Sequence, residues 1–112
     1  MSTDLLYANK MFSLAVRSLA LGESGLRHRL LNAYCSNAIH AYPPRGGSGP
    51  AISEELQAGI EDLHARMTIT GAAHHAGMIE ESINAMSEDE VRGAAEDLVN
   101  IADKLDAERD AL

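Results

Sequence analysis

The sequence contains a single cysteine, no tryptophan, one phenylalanine and three tyrosines in 112 residues. A lone thiol, Cys35, cannot form an intrachain disulfide. The chain is therefore expected to rely on an ordinary apolar core and to suit a reducing compartment, with the cytoplasm as the expected location. With aromatics at 4%, that core must be built from Leu, Ile, Ala and Met, which pack helices better than they fill a β-sandwich. No apolar run approaches the ~20 residues of a membrane span, since Lys10, Arg17 and Arg29 interrupt the longest stretches. The opening Met1-Ser2-Thr3-Asp4 also lacks the basic segment and apolar stretch of a secretory signal, so no membrane association is expected. Nucleotide-binding and hydrolase signatures are missing too. Gly46-Gly47-Ser48-Gly49 is not followed by the lysine and helix of a phosphate loop, and no Gly-x-Ser-x-Gly elbow occurs.

What is present is helical periodicity and a lopsided charge. The apolar fraction of 46% is that of a globular chain, and the length suits one domain spanning residues 1–112. In residues 4–21, Leu5, Ala8, Phe12, Ala15 and Leu19 form one seam, with Tyr7, Met11, Leu14 and Leu21 on an adjacent face. Asn9, Lys10, Ser13 and Arg17 form a narrow polar strip. A helix this apolar is expected to be covered by several neighbours, within the chain or across a subunit interface. Gly22-Glu23-Ser24-Gly25 breaks the pattern, with Ser24 placed to cap a second helix over 26–41. Residues 43–50, rich in proline and glycine, read as a linker.

Beyond the linker, Ser53 followed by Glu54 and Glu55 opens a third helix whose buried stripe is Leu56, Ile60, Leu63 and Met67. Residues 68–76, with Gly71 and His74-His75, read as a loop, and a short helix follows over 78–85. Ser87 and Glu90 form a capping box for the last helix, in which Val91, Ala94, Leu98, Ile101 and Leu105 recur at three- and four-residue steps. The predicted fold is an all-α bundle of four main helices plus a short fifth, arranged as two helical hairpins joined by the Gly/Pro linker.

The net charge of −8 is unevenly distributed. Residues 1–50 carry five bases and two acids, net +3, and residues 51–112 carry four bases and fifteen acids, net −11. An acidic half of this kind opposes direct nucleic-acid binding, which needs clustered Lys and Arg. The small basic group Arg17, Arg27, Arg29 and Arg45, with His28 among it, is expected to pair with the acidic half, inside one chain or between two. Nine carboxylates from Glu88 to Asp110 admit a second reading, an inhibitor that mimics a phosphate backbone, against the commoner one of a solvated helix face.

Candidates for chemistry are few. Cys35 with His28, His40 or His64 is the nominal thiol–imidazole combination, but a cysteine in an apolar seam usually acts as a small hydrophobe. Glu61 and His64 have the Glu-x-x-His spacing of carboxylate-bridged metal sites in helical bundles. The chain has no second copy of that motif, so a di-metal centre would need a homodimer, and solvated side chains are the favoured reading. His74 and His75 alone make a poor zinc site. No catalytic residue or cofactor is expected. The expected function is that of a non-catalytic helical protein–protein interaction or regulatory domain, self-associating as a homo-oligomer or binding another protein. The acidic inhibitor and the metal-binding enzyme are the rivals.

Overall fold

The computed structural model describes residues 4–22, 25–42, 50–69 and 75–112. Among these it has five α-helices and no strand, a small all-α bundle. The helices are α1 (Leu5–Leu21), α2 (Leu26–Ser36), α3 (Glu54–Met67), α4 (His75–Ala85) and α5 (Glu88–Asp110), with a 3₁₀ turn at Ala38–Ala41. None of them is long and apolar enough to cross a membrane.

Local chemistry sets most helix starts. Asp4 Oδ1 accepts from the backbone amides of Leu6 and Tyr7 at 2.9 and 3.3 Å, opening α1, and Ser53 Oγ accepts from Leu56 N to open α3. At α5 the capping box forms in both directions. Glu90 N donates to Ser87 Oγ at 3.1 Å, and Ser87 N donates to Glu90 Oε1 at 2.9 Å. These bonds satisfy donors that the first turn of a helix leaves free, and they hold the Glu90 carboxyl below its ordinary pKa.

The expected stripes are buried: Leu5, Ala8, Phe12, Ala15 and Leu19 on α1, the Leu56–Met67 series on α3, Ile79 and Ile83 on α4, and the Val91–Leu105 series on α5. They join Leu30, Ala33 and Tyr34 of α2 in one contiguous apolar cluster. α1 lies against α2, the 3₁₀ turn and α5, while α3 packs on α4 and α5, and α2 also meets α4. α1 and α5 run antiparallel: Asn9 is bonded to Asp106 and Arg109, whereas Val16 and Ala20 lie near Val99 and Ala95.

Three local expectations are revised. The second helix stops at Ser36, because Asn37 leaves helical geometry at φ −132° and ψ −71°. The chain then tightens into the 3₁₀ turn, which buries Ala38 and Ala41. The short helix starts earlier than expected, at His75. Asn9, read as part of α1's polar strip, is turned inward and only 4% exposed. Its amide donates to Asp106 Oδ1 at 2.6 Å and its carbonyl accepts from Arg109 at 2.8 Å, so α5 supplies what water otherwise would. Ser24, residues 43–49 of the linker and His74 lie outside the described residues.

Candidate functional site

The two candidate metal ligands are held apart by burial. Glu61 is exposed on α3, while His64, one turn on, is only 8% exposed. Tyr34 Oη and His64 Nδ1 are 2.7 Å apart, and the Tyr42 ring stacks on the imidazole with centroids 3.9 Å apart and planes 22° apart. Thr68 Oγ1 donates to the His64 carbonyl at 2.8 Å. Tyr34 comes from α2 and Tyr42 from the end of the 3₁₀ turn, so His64 ties α3 to the N-terminal helices as a buried polar joint. Burial, then the neighbouring Cys35 and Tyr42, pushes the Tyr34 hydroxyl pKa well up and keeps it protonated. Among the described residues no group of three or more His, Cys, Asp or Glu side chains is arranged to hold a metal.

Cys35 is half-buried on α2 and His28 and His40 are exposed. No hydrogen bond links the thiol to an imidazole among the described residues. Desolvation, then the nearby Glu80 charge, raises the thiol pKa, opposite to what a nucleophilic cysteine needs.

Most of the described basic side chains have partners within the chain. Arg27 donates through one nitrogen to the carbonyls of Ile83 and Met86, the latter at 2.8 Å, and through the other to Glu88 at 3.2 Å. It thus closes the C-terminal end of α4 and reaches the start of α5. Arg29 donates to the Leu19 carbonyl at 2.7 Å, capping α1. Arg66 pairs with Asp97 at 2.6 Å and Asp62 at 3.4 Å, Arg92 with Asp89, Lys104 with Glu55, and Arg109 with Asn9 and Asp110. The expectation that arginines meet the acidic half thus holds for Arg27 but not for Arg29. Arg45 lies outside the described residues.

Two cations remain. Among the described basic side chains, Lys10 and Arg17 alone make no ion pair or hydrogen bond, and both are exposed on α1. Leucines flank them: Leu6, Leu14 and Leu21 are 50%, 39% and 68% exposed, three of the five large apolar side chains that stay in solvent among the described residues. Positions 6, 10, 14, 17 and 21 recur at steps of four and three, so this is one continuous stripe along α1. The sequence placed Leu14 and Leu21 on a second apolar face awaiting cover, and the bundle leaves them uncovered.

α1 and α5, with Leu26 of α2, enclose an open hollow of about 470 Å³, walled by Val16, Ala20, Leu26, Ala95 and Val99, with Arg92 and Glu96 at the α5 edge. Of the nine carboxylates from Glu88 to Asp110, seven have internal partners: Glu88, Asp89, Glu90, Asp97, Asp106, Glu108 and Asp110. Glu96 and Asp103 have none among the described residues. The charges left unspent on α1 and α5 are thus opposite in sign; Glu96 lines the α1/α5 hollow, whereas Arg17 lines a separate one with Leu14, Leu21 and Asn37. Comparison of the chain with protein-family models, with curated proteins and with solved structures finds no match.

Proposed function

We propose that this protein is a non-catalytic helical interaction domain that works by self-association. The observation that carries the reading is the α1 stripe. Three solvent-facing leucines on one helix form the sort of apolar surface that association removes from water, and each fully buried leucine contributes about 1.5–3 kcal/mol. The interior speaks for the same reading. Burial, then the Glu80 charge, raises the Cys35 thiol pKa, and His64 is held by Tyr34 and Tyr42. The acidic-inhibitor reading draws less support, because most of the α5 carboxylates are engaged within the chain. A lone cysteine makes the cytoplasm part of the proposal.

The test is the solution mass by light scattering at low and high salt. A dimer mass at both ionic strengths is expected, since apolar contact persists when charge is screened. A monomer at both would end the self-association reading and turn attention to an external partner.

A further inference from the structure

We infer that the occupant of the α1/α5 face is a second copy of this chain, related by a twofold axis parallel to the helices, so that α1 of each copy lies on α5 of the other. This rests on the self-association reading and adds the face, the register and the residues that set them.

The face is self-complementary in charge. α1 contains no acidic residue, and its two unpaired groups are both positive; α5 offers Glu96 and Asp103, exposed and without partners among the described residues. A twofold axis perpendicular to the helices would lay α1 on its own copy, cation against cation. An axis parallel to them sets α1 on α5, cation against anion, twice over. Like-charge contacts in an interface are costly, so charge selects the second arrangement.

The spacing agrees. Lys10 and Arg17 are seven residues apart, and so are Glu96 and Asp103, so each pair spans about 10.5 Å of helix. Within one chain Asn9 is level with Asp106, and Val16 is near Val99. A parallel axis keeps that level between copies. Arg17 of one chain then falls within about two residues, or ~3 Å, of Glu96 in the other, and Lys10 is offset equally from Asp103. Antiparallel helices with equal seven-residue spacings make both contacts at once, four in the dimer.

The apolar groove lies between α1 and α5, with Glu96 on its α5 wall. In this arrangement the two copies' hollows face each other, and Val16, Ala20 and Val99 of each close the other's groove. The alanines at positions 20 and 95 let the layers approach at ordinary helix-packing distance. Two adjacent helix faces about 30 Å long and ~10 Å apart offer on the order of 600 Å² per copy, near the ~800 Å² of a standard interface. The net charge of −8 on each copy opposes association at long range, but beyond the ~8 Å Debye length at physiological salt that repulsion is largely screened.

The experiment is a charge swap read by sedimentation equilibrium at about 100 µM, above the micromolar Kd of a weak interface of this class, with circular dichroism confirming that each variant keeps its helicity. Lys10→Glu with Arg17→Glu, and separately Glu96→Lys with Asp103→Lys, should each weaken dimerisation 100-fold or more. Mixing the two variants should restore a dimer, because each then meets the opposite charge on both helices, and the fourfold variant should dimerise alone. Undiminished dimers in both variants would overturn this face while leaving self-association standing. Dissociation of one variant but not the other would overturn the α1-on-α5 register, which needs both lines of charge. A monomeric wild-type chain would overturn the underlying reading as well.

Discussion

Replacing Arg27 with alanine tests whether the contact between the two charge-biased halves depends on charge or on carbonyl capping. The guanidinium makes two bonds to the Ile83 and Met86 carbonyls and one ion pair with Glu88. Glu88 is 84% exposed, so the ion pair contributes only a few tenths of a kcal/mol. The two carbonyl bonds are part-buried and charge-assisted. Bonds of this class contribute about 1.5–3 kcal/mol each when buried, and discounting for water that replaces part of the loss leaves about 2 kcal/mol for the two together. A chain of this length unfolds with an entropy near 0.24 kcal/mol/K, so Arg27→Ala should lower Tm by about 8 °C and Glu88→Gln by about 1 °C. Arg27→Lys keeps the charge but loses the planar fork that spans two carbonyls, and should recover less than half of the loss. Thermal unfolding followed by circular dichroism at one fixed protein concentration decides the matter, since association shifts Tm by mass action. Equal destabilisation by Glu88→Gln and Arg27→Ala, or full rescue by lysine, would refute the capping account.

Three further perturbations follow from the same geometry. A Cβ on Gly22 would sit 2.5 Å from Arg29 Cγ and 2.7 Å from its Cδ, so Gly22→Ala should displace Arg29 from the Leu19 carbonyl and cost about 1–2 kcal/mol; in an Arg29→Ala background the same change should be close to neutral in denaturant melts. Glu90 has a folded pKa below its unfolded value, so its contribution is present above the unfolded pKa and is lost as pH falls through the folded one. Glu90→Gln should therefore flatten that part of the acid limb of a stability-versus-pH curve, and an unchanged limb would contradict the capping-box account. Cys35, half-buried with a raised thiol pKa, should react with iodoacetamide at pH 8 more slowly than free cysteine and reach the free rate in denaturant; a faster native rate would contradict its assignment as a core side chain.

Periodicity exposed the core because each buried stripe repeats along its own helix, and the Ser53 and Ser87 caps were readable because they act within three residues. The features that escaped depend on distant partners. Asn9 is buried because Asp106 and Arg109, about a hundred residues away, meet its amide. His64 is buried because Tyr34 and Tyr42 come from other segments. Taken alone, a polar residue in an apolar stretch is indistinguishable from one on the solvent edge. Gly22 shows a related ambiguity. The sequence marks it as a helix breaker, yet its φ of −67° suits any residue, and its bareness serves to admit the Arg29 stem.

The lopsided charge gains meaning once each cation is followed to its partner. A chain with nine bases and seventeen acids has few cations to spare, and the bundle uses Arg27 and Arg29 on helix ends and Arg66, Arg92, Lys104 and Arg109 on nearby acids. Exposed pairs of this kind contribute little to stability, so scarcity alone does not explain why Lys10 and Arg17 stand apart. Their setting does: both lie on a helix without an acid, one turn from exposed leucines, and on the neighbouring α5 Glu96 and Asp103 are likewise unpaired among the described residues. The charges left without a partner on α1 are both positive and those on α5 both negative. In the dimer proposed above, that separation of sign between α1 and α5 becomes complementary.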